Sequence, residues 1–416
     1  MPPVDRRQFV ALAGAAATAL AAPSAAAPVK PALAPMTGGA KPIGRDERER
    51  RLAKAQRLMR EHGLSALLIE PGSSLVYFTG VQWWRSERLT AAVIPAEGEA
   101  AIFTPFFEEP SVRESLGIAA EIRTWNEDDD PLQLVGGWLK QRKLGAGPVG
   151  IEETVRYFAV DGLKRALPGA EIRSGAAVVR GCRMVKSPAE LALMQLAADV
   201  TVAAYRHTWP RIERGMTPAD IGAIMNEATA ALGGHPEFAL VLLGEASAYP
   251  HGSGKPQQVR EGEVVLMDCG CSVHGYQSDI SRTFVFGEPS KRQREVWNHM
   301  KRGQEIAFAA ARPGAPAGSV DDAVRAYYET LGYGPDYRLP GLSHRTGHGI
   351  GLDGHEPVNL VRGETTPLAP GMCFSNEPGI YIPGAFGVRL EDCFHMTATG
   401  PRWFSTPPPS LGKPVG

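Results

Sequence analysis

Cysteine pairs are what this sequence most plainly lacks. Its five cysteines, Cys182, Cys269, Cys271, Cys373 and Cys393, are an odd number and form no C-x-x-C pair. That argues against a disulfide framework or a thiolate zinc cage and leaves them as small buried hydrophobes. Net charge is nearly absent as well. At −1, with a pI near 6.8, the chain has no general electrostatic pull toward nucleic acid or an anionic membrane. Past the N-terminal region there is no run of about 18 consecutive apolar residues, so no second membrane span is expected. The 43% hydrophobic and 7% aromatic shares are those of a soluble globular protein, and 416 residues allow two domains with at least one large core.

The first residues read as an address, not as fold. Asp5-Arg6-Arg7-Gln8-Phe9-Val10 precedes an Ala-rich apolar run to Ala22 and then PSAAAP. Adjacent arginines, a mildly hydrophobic segment and an A-x-A-like site resemble a twin-arginine signal over residues 1–27, cleaved after Ala26 or Ala27. An ordinary Sec signal or a retained anchor is the alternative, although the run is short for a spanning helix. The expectation is a periplasmic or secreted protein with no stable membrane anchor after cleavage. Residues 28–44, rich in Pro, Ala and Gly, read as a linker.

Two domains are expected. The charged, apolar-periodic stretch from Arg45 to Gly63 predicts an amphipathic helix closed by glycine. Short β-type runs at SALLIE, AAVIP, AAIFT, AEIRTW and PVGIEE alternate with helical text, an α/β pattern that gives a first domain over 45–180. Ser187-Pro188-Ala189-Glu190 is a helix start, with Ser as cap, Pro in the first turn and Glu three residues on. It opens a second domain, 181–416, with helices near 188–212, 217–232, 291–312 and 318–332. Its strands are expected near 238–243, 263–270, 280–286, 371–377 and 388–396. Asn126 to Asp130 reads as a solvated acidic loop, and the end of the chain as a packed Trp403-Phe404 pair before a loose tail. Trp83 and Trp84 are either cleft lining or core and subunit contact.

Asp268, Asp279, His348, Glu377 and Glu391 follow one another through the last third of the chain. Asp268 ends an apolar strand and Asp279 opens the next, a spacing that fits a hairpin with both carboxylates at one end. Taken singly, Asp near Gly is ordinary turn chemistry. His348 sits among small residues, in Gly347-His348-Gly349, where backbone can approach closely. Glu377 and Glu391 lie among apolar neighbours and need a partner if buried. Four carboxylates and one imidazole form a hard, oxygen-rich set suited to two divalent ions such as Mn²⁺, Co²⁺ or Zn²⁺. Two close metals acting on a bound water imply hydrolysis.

The segments MDCGCSVHGYQSDISRTF, GHGIGLDGHEP, NEPGIY and GVRLED resemble those of the creatinase/prolidase/aminopeptidase P group of metallopeptidases, and the resemblance runs from about Arg45 to the C-terminus. It implies an α+β chain: a pita-bread catalytic domain preceded by a smaller α/β creatinase-type N-terminal domain. It also implies two divalent ions, Mn²⁺ first, bridged by Asp279 and Glu391. Asp268 would complete one site, and His348 with Glu377 the other. His251 and His355 would bind substrate and handle protons, and Arg389 would steady carboxylates; Tyr381, four residues after Glu377, is either a support for the ligands or a packing residue. Glu377 would serve as general base for a metal-bridging hydroxide. The implied substrates are dipeptides or short peptides with proline in second position, whose bond has no N–H, and the implied assembly is a homodimer. The same scaffold supports metal-free creatine hydrolysis, ectoine-derivative hydrolysis, dimethylsulfoniopropionate cleavage and non-catalytic binding. Retention of all five ligand residues argues against the metal-free and binding-only forms.

Overall fold

A computed structural model describes residues 33–415. The expected signal segment and the first part of the expected linker lie outside the described residues. The rest of that linker has no helix or strand, yet it is tied down: Met36 N–H donates to Leu232 O at 2.8 Å and Thr37 Oγ1 to Gly233 O at 3.0 Å.

From Arg45 to Arg183 the chain alternates as the sequence pattern predicts. The elements are α1 (Arg45–Glu61), β1 (Ala66–Ile69), α2 (Ser73–Thr79), β2 (Ala91–Pro95), β3 (Ala100–Pro105), α3 (Glu109–Ser115), β4 (Ala120–Trp125), α4 (Pro131–Gln141), β5 (Val149–Ile151), α5 (Tyr157–Ala166), β6 (Ile172–Ser174) and α6 (Ala176–Arg183). The strands form one mixed sheet in the order β4-β3-β2-β1-β5-β6. Successive residues of β1 face opposite sides, so the sheet has two cores. Leu67 and Ile69 join Met59, Phe78 and Val178 on one face, while Ala66 and Leu68 join Phe103, Trp138 and Leu163 on the other. Helices cover both faces, which is why these strands read as unbroken apolar runs. α6 runs past the expected edge at 180, and its Val178, Val179 and Cys182 pack in the first of these cores. The acidic loop is exposed but not idle: Asp130 Oδ1 accepts from Leu132 N–H at 2.9 Å and caps α4.

The second part holds α7 (Pro188–Thr208), α8 (Pro218–Ala231), β7 (His235–Leu243), β8 (Val264–Val273), β9 (Tyr276–Gln277), β10 (Ile280–Val285), α9 (Lys291–Ala310), α10 (Gly318–Thr330), β11 (Gly347–Gly349), β12 (Glu356–Leu360), β13 (Cys373–Asn376), β14 (Ile380–Ile382), β15 (Phe386–Val388), β16 (Asp392–Thr397) and β17 (Gly400–Trp403). Reciprocal capping boxes start three of the helices: Ser187 with Glu190, Thr217 with Asp220, and Ser290 with Gln293. One sheet runs β10-β8-β7, with β9 pairing β8, and a second runs β12-β11-β13-β16-β17. The large core beneath the second sheet joins Trp297 and Met300 of α9 and Val324 and Tyr328 of α10 to Leu360, Phe374 and Phe394.

Besides the short strands β9, β11, β12, β14 and β17, which were not expected, three details differ from the sequence reading, and two of them shape the site. β8 continues to Val273, so Asp268 lies inside the strand and not at its end. It can do so because Gly270 has no side chain, where a Cβ would collide with Ser278 O and the Phe238 ring. The strand expected over 388–396 is divided: β15 ends at Val388, β16 begins at Asp392, and Arg389, Leu390 and Glu391 cross between sheets. The third detail lies at the chain end, where Trp403 stacks on Phe308 with ring centroids 4.1 Å apart. The tail beyond it is not loose throughout, because Leu411 is buried in the large core.

Candidate metal centre

The register of β8 and β10 sets the first pair of ligand residues. Ser281 is the cross-strand partner of Asp268 and Ile280 that of Cys269, so Asp279 emerges just ahead of β10 beside Asp268. The Tyr205 hydroxyl lies 3.0 Å from Met267 O and 2.7 Å from Ile280 O, and it ties together the strands that carry the two carboxylates. Glu391 comes from the crossing between β15 and β16, where its N–H donates to Ser281 O at 3.0 Å. Beneath this crossing the buried Arg282 donates to Ser281 O at 2.9 Å, to Glu391 O at 2.8 Å and to Asp392 Oδ1 at 2.7 Å. His348 is the middle residue of β11. Gly347 beside it allows β13 to approach, since a Cβ there would strike Ser375 O. Glu377 directly follows β13.

These five residues meet in one cavity of about 420 Å³, together with His251, His344, Arg345, His355 and Arg389. Ligand atoms of Asp268, Asp279 and Glu391 lie within 4.8 Å of one another, as do those of His348, Glu377 and Glu391, and those of Asp279, His348 and His355. Asp279 and Glu391 are buried, yet Asp279 Oδ1 and Glu391 Oε1 have no hydrogen-bond partner. Buried carboxylate oxygens are rarely left so, because desolvation without a partner is costly.

The electrostatics show the same deficit. Burial, reinforced by the neighbouring carboxylates, pushes the Asp279 and Glu391 carboxyls well above the usual range. Burial likewise pushes Glu377 up to about 7, against the pull of Arg389. His348 is held well below its usual value by burial, so its ring is neutral. Its Nδ1 lies 3.0 Å from Gly349 O and takes the proton, which leaves the Nε2 lone pair 3.3 Å from Glu377 Oε1. Two lone pairs at that distance need a proton or a cation between them. The residues present therefore fit divalent ions on two independent observations, the orphaned oxygens and the opposed lone pairs.

Arg389 engages the cluster directly. It donates to Asp268 Oδ2 at 2.6 Å and Ser281 Oγ at 2.9 Å. Ser281 Oγ stands 2.8 Å from both Asp268 Oδ1 and Glu391 Oε2 and can give its one proton to either. Tyr381 is buried; its hydroxyl accepts from Arg389 Nη1 at 3.3 Å and lies 2.7 Å from His344 Nε2. His355 and His251 are on the solvent side of the cavity, and the His355 ring meets that of His348 with centroids 4.1 Å apart. Burial and then Arg345 lower the His355 pKa. His251 also borders a separate groove of about 700 Å³ between α8 and β7.

The four catalytic and five metal-ligand assignments made from the sequence fall on eight side chains, Glu377 serving twice, and each of the eight lines this cavity; Tyr381 is not among the lining residues and reaches the cluster through Arg389. His344, Arg345, Ser281 and Arg282 were not singled out. His344 could have been noticed as a second histidine four residues before His348, whereas the serine and Arg282 carry no local signal. Trp83 and Trp84 lie outside this cavity: their rings stack at 5.0 Å, and Trp84 is 72% exposed. All five cysteines are free and buried.

Comparison with known proteins agrees with this construction. The chain matches Metallopeptidase family M24 over residues 192–398 and the Creatinase/Prolidase N-terminal domain over 51–185. It is 36% identical over 357 residues to the probable dipeptidase PepE of Mycobacterium tuberculosis, covering 84% of this chain and 92% of the relative. It is 31% identical over 368 residues to the Xaa-Pro dipeptidase of Lactobacillus helveticus, covering 85% and 96%. The crystal structure of dipeptidase PepE from Mycobacterium ulcerans superposes with a TM-score of 0.82 at 33% identity, covering 89% of this chain and 99% of that one. With its paired sheets, its N-terminal α/β domain and its buried carboxylate cluster, the chain belongs to metallopeptidase family M24, in the creatinase/prolidase/aminopeptidase P group with the pita-bread fold, and is a metal-dependent peptidase.

Proposed function

We propose that this protein is an exopeptidase that hydrolyses the Xaa-Pro bond of dipeptides or short peptides with two divalent ions, Mn²⁺ first among them, in the cluster of Asp268, Asp279, His348, Glu377 and Glu391. The observation that carries the reading is the pair of orphaned buried oxygens, Asp279 Oδ1 and Glu391 Oε1, on the two residues best placed to be shared. Ions bound there would acidify a water and polarise the scissile carbonyl. The protein supplies the rest. Glu377, in the same cavity, is placed to take the proton of the attacking water and return it to the leaving nitrogen. His355, with its imidazole kept neutral, can donate one N–H to the carbonyl oxygen as it gains charge. His251, at the same opening, is placed to orient the carbonyl. Arg389 holds the Asp268 carboxylate, and Tyr381 accepts from Arg389 in turn.

Proline in second position is supported by relatives that carry the name Xaa-Pro dipeptidase. Such a bond offers no N–H. Periplasmic or secreted location follows from the arginine pair and Ala-rich run at the N-terminus. Among the described residues no helix is long and apolar enough to cross a membrane. A homodimer is the assembly proposed. The test is hydrolysis of Ala-Pro, Ala-Pro-Ala and Ala-Ala by the Mn²⁺-loaded protein. Cleavage confined to the proline peptides is expected. Failure on all three with metal bound would overturn the reading in favour of a small zwitterion as substrate.

A further inference from the structure

His251 lines the ligand cavity from its solvent side. Among the described residues its side chain makes no hydrogen bond. Its place therefore depends on the loop that carries it. No residue from Pro250 to Gln258 is buried. Two separate cavities open against this loop. One is the groove of about 700 Å³ between α8 and β7, bordered by His251, Ser253 and Gln257. The other, of about 220 Å³, is bordered by Tyr249, Ser253 and Gln257. A loop with so little apolar contact is not fixed by packing.

Hydrogen bonds fix it instead, one at each end of the short span that bears the histidine. Ahead of His251, the Pro250 carbonyl accepts from Arg389 Nη1 at 3.1 Å. Behind it, the Ser253 carbonyl accepts from Gln257 Nε2 at 3.1 Å. Between them Gly252, at φ +101°, turns the chain and donates its N–H to Tyr249 O at 2.9 Å. The Arg389 end belongs to the metal cluster, through its 2.6 Å bond to Asp268.

The Gln257 end has a different anchor. Gln257 Oε1 accepts from the Leu243 N–H at 2.9 Å, at the close of β7, which is the edge strand of its sheet. An edge N–H has no strand to pair with, and here the carboxamide stands where a neighbouring strand would. Only one orientation of the amide satisfies both contacts, since Leu243 offers a donor and Ser253 an acceptor.

We propose that Gln257 is a positioning residue for His251: its carboxamide bridges the edge of β7 to the His251 loop and so sets the imidazole against the scissile carbonyl. Gln257 is not among the residues that line the ligand cavity and acts only through the loop. This role rests on the exopeptidase reading above, in which His251 orients the carbonyl, and the test separates the two. Gln257→Met keeps the length of the side chain but removes both hydrogen bonds, whereas Gln257→Ala removes the bulk as well. Both variants, His251→Ala and the double variant His251→Ala/Gln257→Met are assayed on Ala-Pro with Mn²⁺ bound. Amide exchange is followed by mass spectrometry over residues 243–255.

Gln257→Met is expected to lower kcat/KM about tenfold to a hundredfold, as far as Gln257→Ala does, with metal content at the wild-type value. In the His251→Ala background it should cost nothing further. Exchange over 243–255 should quicken in both Gln257 variants while that over 350–357, around His355, stays unchanged. A wild-type rate in Gln257→Met, a loss that adds to that of His251→Ala, or exchange that does not quicken would each overturn the proposal. If the wild type with metal bound cuts no proline peptide, the exopeptidase reading fails; quickened exchange in Gln257→Met would then still uphold the bridge, and unchanged exchange would overturn it.

Discussion

Two buried charge clusters lie a few residues apart in this chain, and they are balanced in opposite ways. Where the first domain meets the loop after β11, Glu356 bonds Arg183 at 2.5 Å and Lys186 at 2.9 Å. It also accepts from the Leu352 and Asp353 N–H groups at 3.0 and 3.2 Å. Lys186 and Arg183 hold its carboxyl down to about 2 in spite of its burial. In the cavity beside it, four carboxylates share one committed arginine, and burial drives three of them upward. Burial costs both clusters the same kind of desolvation. One carries its own counter-charge and needs nothing further. The other lacks it, and divalent cations are the counter-charge its geometry accepts.

That contrast can be broken from either side. The largest effect is expected from Asp279→Ala or Glu391→Ala. Each removes a proposed bridge and should lower turnover about a thousandfold or more, with fewer than two metals per chain by elemental analysis. Next comes Glu356→Ala, which leaves Arg183 and Lys186 buried without an anion. Urea unfolding should show a loss of about 3–5 kcal/mol. The same neutralisation in the open cluster should have the opposite sign: Glu377→Gln should stabilise the metal-free protein at pH 8 by roughly 1–3 kcal/mol, because it relieves a crowded charge.

The pH dependence of stability sharpens the comparison further. Glu356 binds its proton less tightly folded than unfolded. Its contribution is therefore full above about pH 4–5 and lost as pH falls toward 2. Glu377 binds its proton more tightly folded. The metal-free protein should accordingly lose stability as pH rises from about 4 through 7. Urea midpoints of stripped and Mn²⁺-loaded protein across that range should diverge, the loaded form staying flat. The smallest effect is expected where residues act through others: His344→Ala or Tyr381→Phe should lower kcat/KM about tenfold to a hundredfold with metal retained.

The sequence shows most of the site and less of what holds it. Helix starts are legible because a cap acts over three residues, as in Ser187 with Glu190. The residues of the cluster are legible because five hard donors stand in that order, and the structure brings all five into one cavity. The division of the expected 388–396 strand is not legible, because Val388 and Asp392 belong to different sheets and the crossing is held by Ser281, Arg282 and Thr283, a hundred residues away in sequence.

The central claim is that two divalent ions are the counter-charge the open cluster lacks. Calorimetric titration of chelator-stripped protein with Mn²⁺ tests it most directly. Two equivalents per chain are expected, with proton release as Glu377 ionises and with the unfolding midpoint rising as the sites fill. No binding, or a single equivalent unaffected by Asp279→Ala, would contradict it.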